Sequence, residues 1–125
     1  MQETYVPGVC NIGPAEIRQR ARGGYTALAV TVVLEVFFLV VKTPPYLRLL
    51  VFLPASAAAI GFIQARMHFC AGFGMKGLFN VVSDLGKTDT VEQAEFRAKD
   101  RQKAIQIIVY SLLVGLVVAA ITAAA

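Results

Sequence analysis

The sequence has few of the residues that carry most protein chemistry. Its 125 residues include one histidine, two cysteines and no tryptophan. This composition leaves no room for a multi-bridge disulfide framework or for a haem held by two histidines. Charge is also scarce, because only 16% of the residues are Asp, Glu, Lys or Arg. A secretory leader is not expected, because residues 1–22 carry polar residues and turn formers where a signal peptide needs an apolar stretch.

Apolar residues, in contrast, are in excess. They make up 57% of the chain, and its mean hydropathy is +0.64. A soluble domain of this length buries about two-thirds of its unfolded surface, and an apolar content near one half fills its core. We therefore expect lipid to surround the apolar residues that exceed what a protein core can bury. The net charge of +4 is typical of basic residues that flank membrane spans and contact anionic headgroups, and nucleic acid is not an expected partner.

Three apolar stretches predict transmembrane helices. Residues 23–41 extend about 28 Å as a helix, close to the hydrocarbon thickness of about 30 Å. Residues 46–63 form a second stretch, and the Pro44-Pro45 pair between the two predicts a tight hairpin, because proline lacks the donor that a continuing helix needs. Residues 104–125 carry no charged side chain and form the third. The expected fold class is an all-α integral membrane protein.

Two polar segments flank these stretches. Residues 1–22 predict an N-terminal segment with a short juxtamembrane helix, and residues 64–103 predict an amphipathic helical insert between the second and third spans. Within the insert, apolar residues at i, i+3, i+4 and i+7 between Gly74 and Gly86 indicate an interfacial helix. The residues expected at the membrane interface or against a partner are Phe69, Phe73, Met75, Leu78, Phe79 and Val82.

The positions of lysine and arginine predict the orientation of the chain. Two basic residues, Lys42 and Arg48, lie at the hairpin, and the other ten lie in residues 1–22 and 64–103. Because cytoplasmic loops carry the excess of Lys and Arg, we expect the N-terminus and the insert in the cytoplasm and the C-terminus outside. The expected location is the cell membrane, and the Ala- and Arg-rich composition is compatible with a bacterial inner membrane.

Glu35 lies inside the first predicted span. A carboxylate in hydrocarbon costs several kcal/mol unless it is paired, neutralised or turned toward a polar cavity. Arg48 on the antiparallel second span is expected near the same level, so an ion pair between Glu35 and Arg48 is the first interpretation. The alternatives are a functional carboxyl that exchanges protons or binds a cation, and a contact with a partner subunit.

Cys10, His68 and Cys70 are predicted to lie near the cytoplasmic membrane surface. Two cysteines and a histidine hold Zn²⁺ when a fourth ligand completes the tetrahedron. In structural zinc sites, however, the ligands lie in pairs that are closer together in the sequence than Cys10 and His68 are. Packed, reduced thiols are the favoured interpretation, with a metal site, redox chemistry or lipidation as alternatives. One histidine does not provide a nucleophile, a base and an orienting acid, so we expect no enzyme activity and assign no cofactor.

The third span carries a face of small residues spaced four apart, and the second span offers a matching surface. Small side chains allow helices to approach closely in lipid. We expect the three spans to pack on one another through these faces, with self-association or docking onto another subunit as alternatives. The residues of this predicted packing face are Ser111, Gly115, Ala119 and Ala123 on the third span and Ala57 and Gly61 on the second.

These features predict a small accessory or scaffolding subunit of a larger membrane complex. The spans would pack through their small-residue faces, and the insert would lie against a partner. The alternative is a homo-oligomeric small transporter or proton-coupled carrier that uses Glu35. The expected partners are anionic lipid headgroups and either other membrane subunits or further copies of the chain.

Overall fold

The computed structural model describes residues 5–81, 85 and 87–125. Three helical segments in it are long and apolar enough to span a membrane, namely Pro14–Val41, Pro45–Met67 and Ala94–Ala124. We label the helices in chain order: α1 (Pro14–Val41), α2 (Pro45–Arg48), α3 (Phe52–Met67), α4 (Ala71–Lys76) and α5 (Ala94–Ala124). A 3-10 turn at Leu49–Val51 joins α2 to α3, and two short strands, β1 (Leu78–Phe79) and β2 (Asp89–Thr90), pair antiparallel.

The expected juxtamembrane helix and the first span form one continuous helix, α1. It begins at Pro14, whose fixed φ suits the first helical position, and the acidic Glu16 lies in its first turn. It ends at Lys42, which adopts a left-handed conformation with φ 58° and donates its backbone N–H to the carbonyl of Phe38. The two prolines that follow then turn the chain into α2.

Helix α3 packs against both α1 and α5. Its Gly61 lies on Gly24 of α1, where the two backbones approach so closely that a Cβ at Gly61 would lie 2.8 Å from the Cα of Gly24. On the α5 side, Gly115 lies over Ser56. Small residues at helix contacts are typical of packing in lipid, where close van der Waals contact drives association.

Over its described residues, the segment between α3 and α5 does not contain the interfacial helix that the sequence predicts between Gly74 and Gly86. Helix α4 ends at Gly77, whose φ of +71° is left-handed, a conformation that glycine adopts without steric cost. The chain then enters β1, in which Leu78 lies opposite Thr90 and Phe79 opposite Asp89. The predicted interfacial helix is therefore wrong over its described part, because Gly77 stops the helix inside the apolar stripe. Val82 lies outside the described residues.

Candidate functional sites

The N-terminal residues 5–13 form a strap across one end of the helical bundle, with a tight turn at residues 7–9 between Val6 and Cys10. Asn11, which is fully buried, holds this strap in place. Its side chain donates to the carbonyl of Cys70 at 3.1 Å and accepts from the backbone N–H of Cys70 at 2.6 Å. Its own backbone N–H donates to the carbonyl of His68 at 3.1 Å, and its carbonyl accepts from Asn80 at 2.9 Å. The Asn11 amide thus stands in for a peptide group and joins segments that are far apart in the chain.

A second group of polar side chains at the same end of the bundle surrounds Glu16 and Arg20. The two side chains form an ion pair with Nη1 to Oε2 at 2.7 Å, and Asn80 donates to the other carboxylate oxygen at 3.1 Å. The second terminal nitrogen of Arg20 donates to Cys70 Sγ at 3.0 Å, and its guanidinium lies 5.5 Å from the ring centre of Phe73. The nearly buried carboxylate therefore has both a charged and a neutral partner, as a buried charge requires.

Asp100, near the start of α5, is fully buried and fixes the strap from the other side. Its Oδ2 accepts from the Tyr5 hydroxyl at 2.6 Å, and its Oδ1 accepts from the backbone N–H of Gly8 at 2.7 Å. Burial, together with the hydrogen bond to Asp100 and its negative charge, raises the pKa of the Tyr5 hydroxyl well above its usual range. We call the hydrogen-bonded side chains at this end of the bundle the polar layer; they are Tyr5, Asn11, Glu16, Arg20, Cys70, Asn80 and Asp100.

The structure does not support the alternative of a metal site at Cys10, His68 and Cys70. Among the residues it describes, no group of three or more His, Cys, Asp or Glu side chains is arranged to hold a metal ion. The Cys10 thiol donates to the carbonyl of Ile12 at 3.5 Å, whereas Cys70 Sγ accepts from Arg20. Both cysteines are buried. The two sulfur atoms therefore have separate hydrogen-bond partners.

At the opposite end of the bundle, the predicted ion pair between Glu35 and Arg48 is wrong. Glu35 is half-buried, and its carboxylate accepts a hydrogen bond from the Thr122 hydroxyl of α5. Arg48 instead donates to three carbonyls, those of Thr43 at 2.9 Å, Ala125 at 2.6 Å and Thr122 at 3.5 Å. The physical reason is that carbonyls of the hairpin and of the end of α5 lie within reach of Arg48, and those at a helix end carry partial negative charge, so they compete with Glu35 for the guanidinium.

An apolar crevice of about 200 Å³ lies between α1 and α5, with α3 as its floor. The hydroxyl of Thr31, one of its lining residues, donates to the carbonyl of Ala27 at 2.8 Å within α1. The crevice therefore presents alkyl and aromatic surface. It is lined by Leu28, Thr31, Ala55, Ala58, Ala59, Phe62, Val114 and Val118.

The residues predicted to contact the interface or a partner lie in different environments. Phe69 is fully buried and packs with Ala71, Ala104 and Ile107, so its expected role at the headgroup layer is wrong. Its aromatic ring fills the space between α4 and α5, which excludes both lipid and partner. Three other predicted residues are partly or fully engaged: Phe73 lies under Arg20, Phe79 stacks on Tyr5, and Leu78 is half-buried, whereas Met75 is exposed.

The small-residue face of α5 is used inside the molecule. Ser111, Gly115 and Ala119 are buried, and Ala123 is half-buried. Gly61 of α3 is buried against α1 and not against α5, while Ala57, predicted to share its surface, is exposed. The expected packing among the three spans is thus present, with a different pairing of the small residues of α3.

Sequence reasoning missed the buried polar residues Asn11, Gln64, Asn80 and Asp100. For Asp100 a signal exists, because it continues the buried face of α5 at helical spacing through Ala104, Ile107 and Ser111. No protein-family model, curated protein or solved structure matches this chain.

Proposed function

We propose that this protein is a small accessory or scaffolding subunit of a larger membrane complex. The observation that carries the proposal is that the surfaces on which the three spans face one another are apolar, including the crevice of about 200 Å³ between α1 and α5. Their buried positions are mainly small or apolar, and the hydroxyls of Thr31 and Ser111 donate to carbonyls of their own helices. A single copy therefore has no polar path for a solute among its described spans. Its hydrogen-bonded polar layer instead suits a scaffold that holds neighbouring subunits in place.

The outer surface of the spans supports the same proposal. At most 28% of the residues in the most apolar window of each span are buried inside the chain. Large apolar side chains cover the remainder, including Val33 at 66% exposure on α1 and Leu116 at 59% on α5. These exposed apolar faces provide surfaces against which a neighbouring subunit would pack without any change in the fold.

Tryptophan substitution on these faces tests the proposal. Val33→Trp and Val36→Trp enlarge the exposed face of α1, and Leu113→Trp and Leu116→Trp enlarge that of α5. Purification in mild detergent followed by native electrophoresis should show the wild type in a stoichiometric larger assembly. We expect tryptophan on the partner-covered face to abolish this assembly while helicity remains, and tryptophan on the other face to be tolerated. A wild-type protein that migrates alone, with all four variants unchanged, would contradict the proposal.

A second candidate function is a homo-oligomeric transporter or proton-coupled carrier. It is favoured by the finding that Glu35 accepts from a neutral hydroxyl, with no ion pair to it among the described residues. Ionisable residues inside a membrane commonly form proton relays in pumps and transporters. In reconstituted vesicles, Glu35→Gln should then abolish a proton or cation flux, while Lys42→Gln, which changes an exposed side chain, should retain it. An absence of flux in the wild type would dismiss this candidate.

We further propose that the N-terminus and residues 64–103 face the cytoplasm of a bacterial cell and that the hairpin faces outward. The distribution of Lys and Arg supports this orientation. Cysteine introduced at exposed Lys42 should react with an impermeant maleimide on intact spheroplasts. Cysteine introduced at exposed Arg101 should react only after the membrane is opened. The reverse pattern would invert the topology.

A further inference from the structure

A polar groove of about 280 Å³ lies beside the strap at the start of α5. One wall consists of Lys99, Gln102, Lys103 and Gln106, which are spaced i, i+3, i+4 and i+7 and so share one face of the helix. The other wall is Pro7-Gly8 of the strap. The groove thus combines two cationic and two amide side chains, and no carboxylate is among its lining residues.

The four side chains are available to a ligand. None of them forms a hydrogen bond or an ion pair with any other group of the protein in the part of the chain that the structure describes. The neighbouring carboxylate of Asp100 is fully buried, and its two oxygens accept from Tyr5 and Gly8. These same bonds fix the strap, so the second wall of the groove is held in place before any ligand arrives.

The depth of the groove matches the lipid headgroup layer. Lys103 is the last charged residue before the uncharged residues 104–125. From Lys99 to Gln106 the helix rises about 10 Å, enough to cross a headgroup layer of about 6 Å and reach the edge of the hydrocarbon. A phosphate group at this level would meet ammonium groups above it and amide donors beside it.

We propose that this groove is a binding site for a phosphate group. The chemistry is that of an anionic phosphate held by Lys99 and Lys103 and oriented by the Gln102 and Gln106 amides. A phospholipid headgroup and dissolved phosphate both present such a group. The inference stands independently of the proposed accessory function, since a subunit or a carrier would use the same site.

The test measures binding to the full chain in neutral detergent with two probes, phosphatidylglycerol by native mass spectrometry and inorganic phosphate by titration calorimetry. A diacylglycerol glycolipid without phosphate serves as the lipid control. If each lysine contributes the typical attraction of a basic residue near anionic lipid, Lys99→Gln with Lys103→Gln should weaken binding by about 30-fold. The matched control, Lys76→Gln with Arg101→Gln, removes the same charge from exposed positions outside the groove and should retain most of the affinity.

A pair of substitutions that leaves the net charge unchanged distinguishes a specific binding site from non-specific electrostatic attraction. Gln102→Leu with Gln106→Leu removes both amides without changing the charge, and the loss of two hydrogen bonds of about 1 kcal/mol each should weaken binding by about 30-fold. Saturable one-to-one binding of phosphatidylglycerol with this dependence identifies a lipid headgroup, and the same dependence for inorganic phosphate alone identifies a dissolved ligand. The proposal is overturned if neither probe shows saturable binding or if the glycolipid binds as well as phosphatidylglycerol. It is also overturned if the charge-removing variant outside the groove weakens binding as much as Lys99→Gln with Lys103→Gln.

Discussion

The contact between Gly61 and Gly24 offers the sharpest test of how the spans pack. A methyl group at Gly61 would lie 2.8 Å from both the Cα and the N of Gly24 and 2.9 Å from the carbonyl oxygen of Arg20. All three atoms are backbone, so rotation of a side chain cannot relieve the clash. Gly61→Ala would therefore force α3 to withdraw from α1 by about 0.6 Å to reach an ordinary contact of 3.4 Å.

The size of the effect follows from two opposing contributions. Alanine favours a helix interior over glycine by about 1 kcal/mol. Overpacking typically costs about 1–3 kcal/mol, and a gap of about 0.5–1 Å between packed atoms removes a quarter to a half of their dispersion attraction. Because the obstacle is backbone, we place the cost at the upper end or beyond. The free energy of unfolding should fall by at least about 2 kcal/mol after the gain in helix propensity is included.

The measurement is an unfolding titration in mixed detergent micelles, followed by far-ultraviolet circular dichroism. Gly23→Ala is the matched control, because a methyl group there meets nothing within 4 Å. It makes the same chemical change in a helix interior and should leave the stability unchanged or raise it by up to about 1 kcal/mol. Equal stability of Gly61→Ala and Gly23→Ala would show that α1 and α3 do not meet at these glycines, and the helix arrangement would have to be abandoned.

Three further predictions concern single polar side chains. The Ser56 hydroxyl is buried with no hydrogen-bond partner among the described residues, so Ser56→Ala should raise the free energy of unfolding, by up to about 2 kcal/mol, and a loss of stability would contradict this. Asn11→Ala leaves the backbone N–H of Cys70 unpaired, while the Cys70 carbonyl keeps its hydrogen bond from the backbone N–H of Gly74. The change should cost about 1–3 kcal/mol, seen as faster proteolysis of the strap, whereas unchanged proteolysis would argue against its role. The pKa of Tyr5 is raised by burial and by Asp100, so the protonated hydroxyl stabilises the fold below about pH 10, and this contribution declines as the pH rises further. The stability difference between the wild type and Tyr5→Phe should therefore shrink above about pH 10, and a constant difference up to about pH 12 would refute the assignment.

The sequence was sufficient to predict the three spans, because transfer into lipid depends on the composition of a continuous stretch. Residues 104–125 carry no charge, and Pro44-Pro45 acts locally on the backbone, so both signals are readable without tertiary structure. Gly77 shows the limit of such reasoning. An apolar stripe at helical spacing continues past it, but a left-handed glycine ends the helix, and pairing with β2 then decides the conformation of Leu78 and Phe79.

The polar layer could not be predicted for a different reason. Asn11 binds the backbone of Cys70, and Asp100 binds Tyr5, pairs separated by 59 and 95 positions in the chain. No local pattern encodes such a pair, because the partner of a buried amide is often a backbone group that every residue carries. The Glu35 prediction failed similarly, since the sequence shows the charge of Arg48 but not the helix-end carbonyls that compete for it.

The distribution of side-chain size around α5 bears on where a partner would bind. Its buried face consists of small or polar residues such as Ser111, Gly115 and Thr122, whereas its exposed face carries Leu113, Leu116 and other large apolar residues. A soluble helix has the opposite arrangement, because water drives its largest apolar side chains inward. In lipid that drive is absent, and small residues instead favour the interior because they allow close backbone contact. Because the small-residue face is already covered within the chain, by Ser56 of α3 at Gly115 and by Phe38 and Val51 at Ala119, a neighbouring subunit has to recognise the large apolar side chains. The tryptophan variants on the exposed faces are for this reason a more direct test of assembly than any change in the small-residue stripe.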